Sequence, residues 1–297
     1  MKKIAVVGDV VLDKYYYCSN RENPESSAPC YTVERTEHKL GGAGNVAANL
    51  KVLGAEFELI SVVGNDENAG ILRRILSELE IPHRLIEDRG RPTIVKTRLL
   101  SSIDGRYLFR YDKEKRQYIS LNHSLEIASG IEADIILISD YNKGAISQDL
   151  IERLKKLKKP IIADAKVAHK DFYREIFLLK PNVKEVREMT KLEDEVKAAE
   201  RLRDELSVRI LLTRGEKGIS YFGLERERHN FPALGVELVD VTGAGDVVIA
   251  AFTHFYAKSF DLRKCVELAN IAGGISVQHP GCYAVSEREI LEYKGFT

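Results

Sequence analysis

Short runs of uninterrupted apolar residues recur along this chain, and most are separated by stretches of helical periodicity. The runs are "IAVVGD" (4–9), "FELISVVG" (57–64), "DIILISD" (134–140), "KPIIADAK" (159–166), "IFLLKPN" (176–182) and "VRILLTRG" (208–215). A strand with one wet face alternates apolar and polar residues. A strand buried on both faces has no such need and reads as a continuous apolar run. The intervening segments follow the other period: in "NAGILRRILSELE", Ile71, Leu72, Ile75, Leu76 and Leu79 fall on one side of a helix. Residues 45–54, 147–159, 193–206, 243–258 and 262–278 read as helices too, and "SERE" from Ser286 has the spacing of a capping box. This alternation predicts an α/β fold, a mostly parallel sheet with helices on both faces; a TIM barrel has the same coarse order of elements and is the alternative.

Two stretches break the alternation. Residues 14–38 are rich in Tyr, Ser, Thr and Pro, and residues of about 91–112 contain "TIVKTRLLSSIDGRYLFRY", two alternating halves around an "SSIDGR" turn. The second is a β-hairpin signal. Together they predict a small β-sheet projecting from the core, either a surface elaboration or a lid over a cleft; the lid is preferred because the two segments flank a glycine-rich stretch.

Composition removes several classes of function. At 297 residues, 44% apolar and 30% charged, the chain has material for a real core. Lys plus Arg equals Asp plus Glu, 45 each, which argues against a nucleic-acid partner held by bulk charge. No run approaches the length of a membrane span, and the apolar start "IAVVG" is too short and too soon interrupted by Asp9 and Asp13 for a signal peptide, so a cytoplasmic location is expected. Cys18, Cys30, Cys265 and Cys282 form no C-x-x-C pair, and the seven histidines show no metal spacing. Neither a G-x-x-x-x-G-K-[ST] loop nor a G-x-S-x-G elbow occurs.

Three glycine-bearing stretches remain. "GGAGNVAANL" (41–50) contains G-x-G-x-x-A, but it does not follow the first strand, so a dinucleotide fingerprint is rejected. Its glycines admit a ligand close to the backbone and Asn45 offers it a donor and an acceptor; a tight turn before the helix is the plainer reading. "TGAGD" (242–246) exposes consecutive amides at a helix start, an anion site. That helix end is expected to stabilise Asp246 as a carboxylate, able to take a proton from a hydroxyl while the amides hold phosphoryl charge. The alternative is an ordinary helix start. "LLTRGEKGISYFG" (211–223) sets Gly215 and Gly218 at a strand end, a natural nucleotide seat, and "LLKPNVKEV" places Asn182 and Glu185 after another strand, as phosphate and metal-water contacts or as a simple helix cap.

"GGAGN", "KPNVKE", "TRGEKG" and "DVTGAGD", in this order over nearly the whole chain, resemble the ribokinase-like (PfkB) carbohydrate kinases. Within that family "GDVVLDKYYY", "NPESSAPCYTVER", "ILISDYNKGAIS" and "DVTGAGDVVIAAF" are most similar to the heptose 7-phosphate kinase domain of ADP-heptose synthesis. The resemblance implies a ribokinase-like three-layer α/β/α sandwich with a β-sheet lid, and transfer of the γ-phosphate of ATP, with Mg²⁺, to O1 of a heptose 7-phosphate; it leaves room for a monovalent cation. It implies Asp246 as base and Gly243, Ala244 and Gly245 as anion hole. Asp13, Gly41, Gly42, Asn45 and Asp140 fall on the sugar side, with Lys143, Arg98 and Arg110 meeting the substrate's own phosphate. Lys180, Asn182, Glu185, Thr213, Gly215, Gly218 and Asn270 fall on the nucleotide side, with Glu185 reaching the metal through water. A homodimer formed through the lid is expected. In many such proteins a nucleotidyltransferase domain follows; no H-x-G-H-type signature occurs in these 297 residues, and the whole is expected to be a single kinase domain without that second activity. "ADAKVAH" (163–169) lacks the Pro and Gly of the usual D-P-K-G stretch, and "PGCYAVS" lacks the usual small polar residues at 283 and 284. The rival functions are a family kinase acting on ribose, fructose 6-phosphate or a nucleoside, a non-catalytic sugar or nucleotide sensor, and a nicotinamide dehydrogenase.

Overall fold

The structure, a computed structural model, describes residues 1–293. In chain order its elements are β1 (Ile4–Gly8), β2 (Val10–Arg21), β3 (Cys30–Gly42), α1 (Ala43–Val52), β4 (Phe57–Val63), α2 (Glu67–Glu78), β5 (His83–Glu87), β6 (Val95–Ser101), β7 (Tyr107–Lys113), α3 (Leu121–Ser129), β8 (Ile135–Ser139), α4 (Gln148–Lys156), β9 (Ile161–Asp164) and β10 (Leu178–Leu179). They continue with α5 (Val183–Thr190), α6 (Glu195–Leu206), β11 (Arg209–Thr213), β12 (Ile219–Phe222), β13 (Arg228–Phe231), α7 (Ala244–Ala257), α8 (Leu262–Ser276) and α9 (Glu287–Leu291).

The expected architecture is present. The larger sheet runs β13-β12-β11-β10-β9-β8-β1-β4-β5 and is parallel from β11 to β5, with β12 and β13 antiparallel at one edge. It is open at both edges, which removes the barrel alternative. The continuous apolar runs are buried on both faces: Ile4, Val6, Ile135 and Leu137 pack with α1, α2, α7 and α8, whereas Ala5, Val7, Ile136 and Ile138 pack with α3, α4, α5 and α6. Among the described residues no helix is long and apolar enough to cross a membrane.

Strand β1 lies between β4 and β8, so the chain leaves it toward one side of the sheet and returns on the other. Such a switch point opens a crevice at the carboxyl ends of the strands, where ligands of open α/β sheets bind. The smaller sheet, β3-β2-β6-β7, stands over that crevice. Its hairpin falls where the alternation predicts it. Its other half is longer than expected, since β2 starts at Val10 and β3 runs through Gly42, straight into α1. The glycine stretch is therefore a strand end and a helix start with no loop between them. Asp9 makes this junction possible: its carbonyl accepts from the Ala43 amide at 3.0 Å, and a Cβ on Gly42 (φ 59°) would collide with that same oxygen.

Candidate active site

Gly243, with φ 79°, turns the chain into α7. A Cβ there would lie 3.0 Å from Asn45 Nδ2 and 3.0 Å from Cys282 Sγ, so the position needs glycine for both its conformation and its space. The turn frees the amides of Gly243 and Gly245, which find no backbone acceptor and line the cleft. Ala244 does not join them: its amide donates to the Val241 carbonyl at 3.2 Å, so of the three residues expected to form an anion hole only Gly243 and Gly245 have free amides.

Asp246 follows in the first turn and is 6% exposed. Asn45, from the start of α1, donates its Nδ2 to Oδ2 at 2.7 Å, and the Tyr141 hydroxyl donates to Oδ1 at 2.8 Å. Burial pushes the carboxyl up to about 6; Asp164 adds to the rise, while the hydrogen bonds from Asn45 and Tyr141 and the charge of Lys180 oppose it. The helix end was expected to favour the carboxylate. Desolvation outweighs it, because an exposed helix terminus is worth only about 1 kcal/mol whereas removing water from a carboxylate costs several.

Tyr141 is placed by Asp9, which is fully buried at the end of β1. Its carboxylate accepts from the amides of Tyr141 (2.9 Å), Lys143 (3.0 Å) and Ala145 (2.9 Å), fixing the loop after β8 to the switch point. Nothing about Asp9 in the sequence distinguishes it from a strand-end acid. The loop itself stood in plain view as "SDYNKG", where its lysine rather than its tyrosine attracted notice.

The cleft has a volume of about 270 Å³. One wall belongs to the lid: Asp13 and Arg98 form an ion pair at 2.5 Å, and Lys96 stands beside them. The opposite wall comes from the ends of β9 and β10, where Lys180 pairs with Asp164 at 2.9 Å and Lys166 with Glu185 at 2.8 Å. Asn182 and Glu185 also form a reciprocal capping box for α5, with Glu185 N donating to Asn182 Oδ1 (2.9 Å) and Asn182 N to Glu185 Oε2 (3.0 Å). Cap and site are thus the same residues. Beyond Asn182 lies a second groove of about 450 Å³, bordered by Lys184, Arg187, Thr213, Arg214, Gly215 and Lys217. Asn182 lines both cavities.

Eleven of the expected residues line the cleft: Asp13, Gly41, Gly42, Asn45, Arg98, Lys180, Asn182, Glu185, Gly243, Gly245 and Asp246. Thr213 and Gly215 line the adjoining groove. Five others besides Ala244 do not come to either. Asp140 points into the floor, where Oδ2 accepts from the Tyr173 hydroxyl (2.7 Å) and sits 2.6 Å from His169 Nδ1; buried acids take such partners because solvent cannot serve them. Lys143 is paired with Glu114, and Arg110 grips Asp112 through two bonds of 3.0 and 2.8 Å. Asn270 donates to the Pro232 carbonyl at 2.7 Å, tying α8 to the chain after β13. Gly218 (φ 79°) serves the β11–β12 turn, where a Cβ would strike the Phe231 carbonyl. The cleft residues absent from the sequence reading are Lys96, Tyr141, Asp164, Lys166, Thr242 and Cys282. Two of them lie in "ADAKVAH": Asp164 and Lys166 are kept, and the residue between them, Ala165, is buried out of the way.

A family model for pfkB carbohydrate kinases matches residues 1–289. The D-beta-D-heptose 7-phosphate kinase of Bordetella bronchiseptica is 35% identical over 299 residues, covering 97% of this chain and 95% of that protein. The bifunctional protein HldE of Campylobacter curvus is 34% identical over 305 residues, covering 98% of this chain; the chain spans only 64% of that relative's length. In fold the chain is similar to phosphofructokinase-2 from Escherichia coli (TM-score 0.80, 20% identical, covering 98% of this chain and 97% of the other). It is likewise similar to ribokinase from Arabidopsis thaliana (TM-score 0.77, 21% identical, 98% and 99% covered).

Proposed function

The chain belongs to the pfkB family of carbohydrate kinases, and from that premise we propose that it transfers the γ-phosphate of ATP to O1 of a heptose 7-phosphate. The observation that carries this reading is the setting of Asp246: one oxygen is held by Asn45, the other by Tyr141, and the two unpaired amides of Gly243 and Gly245 stand at the same helix start. The sugar lies against Asp13, Gly41, Gly42 and Asn45. The nucleotide occupies the groove beyond Asn182 and presents its terminal phosphate past Lys180 to the α7 start. Asp246 takes the proton from the attacking hydroxyl, the new O–P bond forms as the bond to ADP breaks, and the amides of 243 and 245 hold the charge in transit. The lid excludes water, which would otherwise compete as acceptor. The 35% identity to a heptose 7-phosphate kinase over nearly both full chains supports the choice of sugar.

Mg²⁺ suits this donor set only as a partner of the nucleotide. Among the described residues no cluster of three acid, His or Cys ligands exists, and both oxygens of Glu185 already have partners. Glu185 and Asp164, which line the cleft, would hold the hydrated ion, and it would neutralise phosphate charge. A requirement for a monovalent cation belongs to the same proposal and is read by titrating K⁺ at fixed Mg²⁺.

Asp246→Asn tests the base. Turnover of heptose 7-phosphate should fall by about 10²–10⁴-fold while calorimetry still finds ATP bound. Near-wild-type turnover ends the assignment, and wild-type preference for ribose or fructose 6-phosphate ends the substrate choice.

The lid also supports a dimer. On its outer face Phe109 and Tyr111 are exposed, with Ile103 at the hairpin tip 91% exposed, an apolar surface at a sheet edge. Phe109→Asp should convert a concentration-stable dimer to monomer in sedimentation velocity; a wild type that is already monomeric removes the idea.

A further inference from the structure

On the side of the lid that faces the cleft, one cation among the described residues has no acid in ion-pair contact. Lys96 lies opposite Asp13 on one neighbouring strand and Asp112 on the other, and Arg98 lies opposite Arg110. Opposed residues, and residues two apart along a strand, share a face of the sheet. Asp13, Lys96, Arg98, Arg110 and Asp112 therefore project the same way. The pairings leave one over. Arg98 takes Asp13, Arg110 takes Asp112, and Lys143, just outside, takes Glu114. Across the cleft Lys166 and Lys180 have Glu185 and Asp164. Among the described residues no carboxylate forms an ion pair with Lys96, whose ammonium lies 5.5 Å from the centre of the Tyr141 ring.

That ring joins Lys96 to the chemistry, since its hydroxyl is on Asp246. Lys96 is half-buried, and burial disfavours its charged form; the charge of Asp13 opposes this, while those of Arg110, Lys143 and Arg98 add to it, so that burial prevails. A partly desolvated ammonium whose neighbouring acids are in contact with other cations is an unfavourable state that an anion relieves. It stands on the Asp13 side of the cleft, whereas the nucleotide groove opens beyond Asn182 on the other side.

We propose that Lys96 receives the phosphate that the acceptor sugar already carries, and so sets the preference for a phosphorylated over a neutral sugar. This rests on the substrate reading above and replaces Lys143 and Arg110, whose charges are already spent on Glu114 and Asp112. With the reacting hydroxyl at Asp246 and the resident phosphate at Lys96, one sugar phosphate is held at both ends.

The test compares wild type, Lys96→Met and Lys96→Arg on heptose 7-phosphate and on the same heptose without phosphate, with KM for ATP measured in parallel. Lys96→Met should raise KM for the phosphorylated sugar about ten- to a hundredfold, lower kcat/KM for the neutral sugar by a far smaller factor, and leave KM for ATP unchanged. Lys96→Arg should restore much of the loss and guards against a methionine variant that fails to fold. Inorganic phosphate should compete with the sugar in the wild type and not in Lys96→Met. Equal losses on both sugars, or a loss expressed in KM for ATP, overturn the role of Lys96 while the substrate reading stands. A wild type indifferent to the sugar's phosphate overturns the substrate reading itself, before any variant is made.

Discussion

The carboxyl group of Asp246 is held up to about 6 chiefly by burial, so at neutral pH it is ionised at a cost that the fold carries. Two consequences have opposite signs. If Asp246 is the base proposed above, it works only when ionised, and kcat/KM should fall about tenfold per pH unit below about 6, with a flat region above. Stability runs the other way. The folded value lies above the unfolded one, so the fold gains from the protonated acid below about pH 4 and loses that gain as pH rises through 6. Asp246→Asn should then melt higher than the wild type at pH 8, by on the order of 2–3 kcal/mol, and show little difference at pH 4. Tyr141→Phe removes a donor to the ionised form. Its acid limb should move to higher pH by up to about one unit, a change that mere loss of packing would not produce; an unmoved limb would show that the hydroxyl does not bear on the base.

At the scale of elements, the helix starts matter more than the helices. Three connections meet at the cleft: the direct β3–α1 junction, the loop after β8 and the turn into α7. Asp9 holds the first two through its carbonyl and its carboxylate, and the third depends on the left-handed conformation of Gly243. Gly243→Ala would force a Cβ to within 3.0 Å of Asn45 Nδ2 and Cys282 Sγ and strain a φ of 79°. We expect a loss of about 1–3 kcal/mol in stability and a much larger loss of turnover, because the freed amides of 243 and 245 would shift. Equal proportional losses in both would mean that the glycine serves the fold alone. The lid depends on elements in a different way. Its strands β2 and β6 pair in parallel although they are separated by most of the first half of the core, so neither segment could form this sheet locally.

In the whole molecule, a single sheet separates two apolar layers, and α7 belongs to one of them along its length. The helix that presents Asp246 at its first turn carries Phe252 and Phe255, both fully buried, farther along. Site geometry and core packing are thus coupled through one rigid rod. Phe252→Ala should cost about 3–5 kcal/mol in urea unfolding and also lower kcat, since a tilt of α7 moves the base relative to Asn45 on α1. An unfolding loss with kcat intact would show that the first turn is fixed by its own contacts with Asn45 and Tyr141.

The sequence alone determined the layers, because burial on both faces permits continuous apolar runs and burial on one face imposes a period; both are local properties of the chain. It also determined the glycine turns and their acid, because backbone conformation and close approach are demands on single residues. It left open which charges were spent. Lys96, Lys143, Arg98 and Arg110 look alike in a string, and only the folded side-chain contacts give Arg98, Arg110 and Lys143 an acid each and leave Lys96, among the described residues, without one in ion-pair contact. The same holds for Asp140 and Asp9. Both end strands, yet the fold turns one toward His169 and Tyr173 and sets the other beneath the loop that carries Tyr141. A charge acquires its role from its partner, and partners are chosen in three dimensions.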